Sequence, residues 1–424
     1  MKQKITDELS VYLKERQIWF NINYNHHAMS CRDAASKRNR LGHIGIPIFD
    51  ELKSNLGFYY CNGIKEYVAL HCRGNQKLDK NKIKNILGHE FIRVPKEELR
   101  IVFKSDYGLI NPFLLSQKFP EVIHFFDKSI FIDFLPPYTM MTNAGHHNWG
   151  IEFNPKELEK IITNFKIEDL IKEKVIQKKR SVLGILTGNS PESGIMLWKE
   201  INDTIRKKIK SKFLGDISFP RVIIESIPEM GYSMELELRE AQTRKAVLES
   251  IEQLCKNGAT IIAIACNTTQ YFSKEIRIIC AKYKVCFISM EEALVGFLDK
   301  NHIKAFDFLG INYVTDFDKW SDYKRLKENY EIKIPSHKDL EKINQIAFKV
   351  KEEHITTEGI NKLRDLIKNA TETGNIIIAL TEISILLASQ KKKSNNGNKF
   401  YDTLSILAQE IATLYIKKLK ENYG

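Results

Sequence analysis

Cys266 ends the apolar run GATIIAIAC and is followed at once by Asn267, Thr268, Thr269 and Gln270. Ile261 to Ala265 read as a buried strand that would deliver the thiol to a sheet edge. Amide and hydroxyl groups beside a thiol can hold a carboxylate or orient a polar substrate. In an open α/β sheet, ligands sit beyond the carboxyl ends of the strands. A buried cysteine at a strand end before a helix cap is the competing reading of the same pattern. A second polar turn, Gly188–Asn189–Ser190, follows the run SVLGILT and precedes Pro191. Strand, turn and helix start would expose N–H groups to an anion there. His146–His147 and His26–His27 invite a metal reading. Neighbours in a strand point to opposite sides, and no third ligand lies at a useful spacing, so no metal is expected.

The elements that must position these residues come in a regular rhythm. SVLGILTG precedes the helical segment PESGIMLWKEINDTIRKKI, and RVIIESIP precedes MELELREAQTRKAVLESIEQLCKNG. IIAIAC precedes a polar turn and the helix-like YFSKEIRIICAKY, and CFISM precedes EEALVGFLDKN. Such units predict a parallel sheet. AFDFLG opens a second series, with EIKIP and NIIIALTE as later strands, a long helical region from Lys338 to Asn369 between them, and the amphipathic DTLSILAQEIATLYIKKLK at the close. Before Lys178 the pattern is mixed. YVALHC, EFIRVP, VIHFFD and IFIDFLP read as strands. LDKNKIKNILG reads as a helix ending at Gly88, Lys96 to Val102 as another, and NPKELEKIITNF as a helix capped by Asn154. The charged stretch FKIEDLIKEKVIQKKR marks a boundary, giving domains 1–177 and 178–424, the second split into lobes of about 181–297 with the closing helix and 303–400. The lysine-rich loop Ser389 to Lys399 has two open readings, an anion-attracting lid or a solvated insertion.

Composition bounds the function classes. The chain has 424 residues, 43% of them hydrophobic, with 65 Lys and Arg against 53 Asp and Glu for a net charge of +12. That excess suits an anionic partner such as RNA, and it equally suits solubility alone. Seven scattered cysteines with no CxxC pair argue against a disulfide scaffold or a cysteine-rich zinc site. The amino-terminal MKQKITDELSVYLKERQ has no signal-peptide apolar core, and no run reaches membrane-spanning length. A soluble, cytoplasmic protein in a reducing compartment is expected, with no membrane partner.

From about Ser181 onward the chain resembles the aspartate/glutamate racemase superfamily. LGILTGNSPESG, ACNTTQ, AFDFLGINYVTD, IALTEISIL and FYDTLSILAQEIA carry the resemblance. It implies an α/β fold of two pseudo-symmetric lobes, a small amino acid such as aspartate or glutamate as substrate, and no pyridoxal phosphate or other cofactor. It also implies a thiol on each side of the substrate, one taking the α-proton and the other returning a proton to the opposite face. Carried over residue by residue, Cys266, Thr381 and Glu382 would be catalytic. Gly188, Asn189, Ser190, Asn267, Thr268, Asn312 and Thr315 would bind substrate. A homodimer is a further expectation. Asp402 is expected to cap the last helix and Glu192 to favour the first turn of its own.

The sequence departs from the family pattern at Leu380, where a cysteine would precede Thr381 and Glu382. Leucine exchanges no proton, and a threonine hydroxyl is far less acidic than a thiol. Three readings stay open. Glu382, a water or another group could carry the second proton. The reaction could be one-sided, an isomerisation, elimination or decarboxylation. The domain could bind a ligand without turning it over. Glu382 has its own alternatives, orienting an ammonium group or water against capping a helix.

From about Asn25 to Phe165 the chain resembles the prolyl-tRNA-editing type of domain, the aminoacyl-tRNA deacylase group, through CRDAASKRNRLG, ELKSNLGFYY, LDKNKIKNILGHEFIRVPKEEL, YGLINPFLL and NAGHHNWGIEFNPKEL. The resemblance implies a mixed α+β module that hydrolyses an amino acid from tRNA. It places Lys53 in the site just before the first core strand, Gly108 and Pro112 around the pocket, and Thr142, Asn143, Ala144 and Gly145 along it. tRNA or aminoacyl-tRNA would then be a partner. Arg32, Lys37, Arg38 and Arg40 would suit an RNA backbone, or form an ordinary charged helix face.

Overall fold

The computed structural model describes residues 2–131, 138–172, 181–210, 215–351, 372–381, 383–384 and 399–423. The chain divides into two compact units, one built on Met1–Arg180 and the other on Ser181–Phe213 and Ser218–Leu419. Among the described residues no helix is long and apolar enough to cross a membrane.

The first unit holds β1 (Phe20–Tyr24), β2 (Asn39–Arg40), β3 (His43–Ile44), β4 (Leu52–Cys61), β5 (Ile64–Arg73), β6 (Ile92–Arg93), β7 (Ile123–Asp127), β8 (Met140–His146), β9 (Trp149–Phe153) and β10 (Phe165–Glu168). They form a five-stranded sheet of order β10-β7-β5-β4-β6, a three-stranded sheet β1-β9-β8 and the small hairpin β2-β3. The longest pair, β4 and β5, turns at Asn62–Gly63, both with positive φ, as a two-residue hairpin requires. Two expectations change here. Ile130 and Phe131, read as part of a strand, lie in a 3-10 turn, Lys128–Phe131, because the Asp127 carboxylate accepts from Ser129 N at 2.9 Å and curls the chain. Asn154 does cap, accepting from Lys156 N at 3.0 Å, but the element it starts is the 3-10 turn Pro155–Lys160 rather than a long helix.

In the second unit the strands are β11 (Val182–Thr187), β12 (Arg221–Ser226), β13 (Ile261–Ile264), β14 (Cys286–Phe287), β15 (Ala305–Leu309), β16 (Glu331–Lys333), β17 (Asn375–Ile378) and β18 (Lys399–Asp402). They form two parallel four-stranded sheets, β12-β11-β13-β14 and β16-β15-β17-β18. Each sheet therefore repeats the order second, first, third, fourth, the pseudo-symmetry expected of two lobes. In this order the chain reverses between first and third strands, where parallel sheets open a ligand crevice. The four residues of β13 are all buried, and each buried isoleucine contributes about 1.5–3 kcal/mol of apolar transfer. One core cluster runs from Leu183 and Ile185 to Phe306, Ile377 and Leu404, so the two lobes share an interior. The helix from Lys338 is described as His337–Lys351, and the remainder of that expected helix lies outside the described residues, as does loop 389–398.

Candidate active site

Gly188 makes the first turn possible. Its φ is +142°, and a Cβ there would meet the Ile227 carbonyl oxygen at 1.9 Å, so no other residue fits without moving backbone. Ile227 N donates to Thr187 O at 2.9 Å and locks that approach. The next residue, Asn189, is half-buried and donates its side-chain amide to Cys266 Sγ at 3.5 Å. Ser193, in the first turn of helix Pro191–Ile209, shares its single hydroxyl proton between Ser190 O (2.6 Å) and Ala265 O (2.8 Å). The turn is thus stitched to the residue before Cys266. Ser190 turns its hydroxyl to Glu192 at 2.9 Å, so a carboxylate of the chain itself sits at this helix start.

Cys266 is buried at 2% exposure. Its carbonyl is held by the Gln270 amide (3.2 Å) and the Thr269 hydroxyl (3.5 Å), while Gln270 also accepts from Met290 N at 3.3 Å. Thr269 and Gln270 therefore brace the thiol's backbone, and Thr268 is buried in the 3-10 turn Thr268–Phe272. Asn267 is buried too. Its Oδ1 accepts from Tyr323 Oη at 2.5 Å and from Thr403 Oγ1 at 3.1 Å. Its Nδ2 is a buried donor with no hydrogen-bond partner among the described residues. An orphaned donor of this kind costs roughly 1–3 kcal/mol until an acceptor reaches it.

The second lobe places Leu380 where the first places Cys266. Ala265 N donates to Leu186 O at 2.9 Å and Ala379 N to Leu309 O at 2.7 Å. Each alanine continues the third strand of its sheet, and Cys266 and Leu380 each come next. Leu380 and Thr381 are buried, and Glu382 lies outside the described residues. Asp402 ends β18 in register with Ile378, two residues before Leu380. Its carboxylate accepts from Leu404 N at 2.9 Å and hydrogen-bonds Ser384. Burial pushes its pKa up to about 7, with these hydrogen bonds opposing. Asp402 caps the last helix as expected and is also a half-buried acid whose pKa is raised toward neutrality. Asn312 and Thr315 take other partners. Asn312 is exposed and accepts from Asn344 Nδ2 at 3.5 Å, and Thr315 donates to Ile311 O at 3.2 Å within its own helical turn.

Sequence reasoning missed Tyr323 and Thr403. Tyr323 sits in the 3-10 turn Asp322–Glu328, wholly buried, and burial holds its phenol well above the usual value. Nothing in the run SDYKRL marks it, because its partner Asn267 is distant in sequence.

In the first unit, Lys53 is the second residue of β4 rather than a residue before it, opposite Cys72 and donating to Gln76 O. Thr142 donates to Leu52 O at 3.4 Å, which brings β8 beside β4. Asn143 is fastened to the segment before Pro112: its carbonyl accepts from Asn111 Nδ2 at 2.5 Å and its Nδ2 donates to Ile110 O at 3.1 Å. Its Oδ1 accepts from Gly145 N at 2.9 Å, with Gly145 at φ +83°. Pro112 starts the helix Pro112–Lys118, and Gly108 lies in an exposed turn at φ +83°.

The basic set needs correction. Arg38 and Arg40 are 4% and 1% exposed, paired with Glu51 at 2.7 Å and Asp50 at 2.7 Å. They are interior ion pairs and unavailable to an RNA backbone. Arg32 is exposed, and Lys37 pairs with Asp33 at 2.8 Å. His147 bonds Ala28 O, His146 accepts from Asn148 N, and no three His, Cys, Asp or Glu among the described residues come together to hold a metal.

No family model matches the chain, and no curated protein matches it. Among solved structures it is similar to Picrophilus torridus aspartate racemase, at 20% identity over 57% of this chain and 99% of that one, with a TM-score of 0.45. An aspartate racemase homologue from Pyrococcus horikoshii matches at 22% identity over 56% of this chain and 100% of that one, with a TM-score of 0.42. A candidate trans-editing enzyme for prolyl tRNA synthetase matches at 15% identity over 40% of this chain and 98% of that one, with a TM-score of 0.29.

Proposed function

We propose that the second unit is an amino-acid racemase that works without pyridoxal phosphate on aspartate, glutamate or a close relative, with Cys266 as the base on one face. The observation that carries this reading is the pairing of a thiol held by Asn189 with the orphaned Asn267 amide next to it. An α-proton is weakly acidic, and its removal drives negative charge onto the substrate carboxylate. A buried, pre-aimed N–H donor is worth most against charge that develops in the transition state. Cys266 as thiolate takes the α-proton, Asn267 Nδ2 donates to the carboxylate oxygen as charge builds, and a proton returned from the other face completes inversion.

Leu380 cannot return that proton. Asp402, in register with Ile378 two residues before Leu380, would be the second proton carrier, and a carboxyl with a pKa of about 7 suits proton exchange at neutral pH. The same leucine favours a second reading, a one-sided isomerase, lyase or decarboxylase that uses Cys266 alone. The first unit would act as an aminoacyl-tRNA deacylase around Lys53, whose charge beside the scissile ester would stabilise the oxyanion.

Incubation with L- and D-aspartate and glutamate in D₂O, read by mass spectrometry and chiral chromatography, tests the main reading. Deuterium uptake with inversion is expected, lost in Cys266→Ala and converted to uptake with retention in Asp402→Asn. Uptake with retention in the native protein selects the one-sided reading. No uptake from any of the four amino acids refutes the racemase.

A further inference from the structure

The three-stranded sheet of the first unit buries Phe20, Ile22, Ile151 and Phe153 on one face. Its other face carries Asn21 and Asn23 on β1, with Glu152 directly opposite Asn21 on β9. The β2-β3 hairpin covers part of this face, pressing Arg38 against Gly150, where a Cβ would meet Arg38 Nη1 at 2.3 Å. Beside the hairpin tip a cavity of about 750 Å³ stays open, and Trp19, Leu41, Tyr138, Asn21, Asn23 and Asn39 line it.

Three large apolar side chains stand exposed at this cavity, Trp19 at 52%, Leu41 at 60% and Tyr138 at 42%. Two of them sit on backbone that disfavours them, Leu41 at φ +51° and Tyr138 at φ +61°. Leu41 and Gly42 are the two central residues of the hairpin, both with positive φ, where Asn-Gly would be the stable choice. Strained outliers of this kind persist where a side chain is needed for contact. The polar lining holds the amides of Asn21, Asn23, Asn39 and Asn154 together with Lys156, Glu152 and Glu157. Asn23 donates to Asn39 O at 3.4 Å, which leaves its Oδ1 as an acceptor. Glu152, 5% exposed, is already neutralised by Arg40 Nε at 3.1 Å and bonded by Thr139 at 2.5 Å. Glu157, also lining the cavity, has its Oε2 without a hydrogen-bond partner among the described residues.

Aromatic faces for stacking, amides for an edge and an unused carboxylate acceptor match a flat heterocycle that donates hydrogen bonds. The chain's net charge of +12 favours a polyanion as the bearer of the ring. We propose that this cavity binds one unstacked nucleobase with an exocyclic amino group, presented by single-stranded RNA. The proposal rests on no chemistry at Cys266 or Lys53.

The full chain is titrated into short fluorescein-labelled oligoadenylate, oligocytidylate and oligouridylate, followed by anisotropy. AMP and ribose 5-phosphate serve as competitors. Oligoadenylate and oligocytidylate should bind, with oligouridylate weaker. AMP should compete and ribose 5-phosphate should not. Trp19→Ala should weaken binding about tenfold, and Trp19→Phe should restore most of it. Leu41→Asn gives the sharpest reading, since it should raise Tm by suiting the turn while weakening RNA. The proposal is overturned if oligouridylate binds equally, if ribose 5-phosphate competes as well as AMP, if an oligosaccharide displaces the RNA, or if Trp19→Ala and Leu41→Asn bind like the native chain.

Discussion

Replacing Tyr323 by Phe tests whether Asn267 is a positioned catalytic donor. The tyrosine hydroxyl gives its proton to Asn267 Oδ1 at 2.5 Å. The other bond to Oδ1 comes from Thr403, which has one hydroxyl proton and two acceptors at equal distance, Asn267 Oδ1 and Ile378 O, both 3.1 Å. Without Tyr323 the amide rests on a shared proton and its Nδ2 loses its aim. Phenylalanine fills almost the same volume, so no cavity opens. The folded state should lose only ~1 kcal/mol, the net worth of one hydrogen bond. Loss of an equal amount of transition-state stabilisation would lower kcat/KM by about fivefold, since 1.4 kcal/mol is one decade. α-Proton exchange in D₂O gives the rate, and urea unfolding gives stability, so the rate can be expressed per folded molecule. The drop should fall in kcat with KM little changed, because the donor meets charge that develops only on deprotonation. Thr403→Val should act in the same direction and less strongly. An unchanged kcat per folded molecule in Tyr323→Phe would remove the Asn267 network from the chemistry.

Two predictions concern stability. Gly188→Ala should cost about 3 kcal/mol or more, since the residue combines a positive φ with a Cβ at 1.9 Å from a backbone oxygen. Urea midpoints measure it, and a loss below about 1 kcal/mol would contradict the close approach. In the first unit His71 and His124 are stacked, buried and hydrogen-bonded at 3.0 Å, with Ser54 at 2.9 Å from His71. Burial pulls His124 down to about 3 and His71 well below its ordinary value. Both therefore stay neutral in the fold while the unfolded chain protonates. Their contribution is intact above the unfolded pKa of about 6.5 and is lost as the pH falls below it, by ~1.4 kcal/mol per pH unit for each ring. NMR of the ring protons should show neither histidine titrating between about pH 8 and 5, and a midpoint near 6 for either would refute the assignment.

Sequence alone determined the strand-and-helix rhythm of the second unit, because branched apolar runs followed by amphipathic stretches have only one economical arrangement, a parallel sheet with crossovers. It also singled out Cys266, Asn267 and the 188–190 turn, since local composition at a strand end carries that signal. It placed Asn154 at a cap through short-range backbone chemistry. The helix length after Asn154 and the strand start after Asp127 were less legible, because one side-chain hydrogen bond there overrides apolar periodicity.

Tertiary structure decided what each polar group is for. Arg38 and Arg40 look like an RNA-facing stripe in sequence, yet they are interior ions, since only the fold brings Glu51 and Asp50 beside them. Asn312 and Thr315 look like substrate ligands in sequence, and in space they spend their hydrogen bonds locally. Tyr323 and Thr403 carry no sequence mark and converge on Asn267 from far along the chain. The equivalence of Leu380 and Cys266 emerges from two sheets with one strand order, a symmetry of hydrogen bonding that residue types do not repeat. Periodicity is a local property and survives in sequence. The satisfaction of a buried donor depends on which distant acceptor the fold delivers, and only the packed chain settles that.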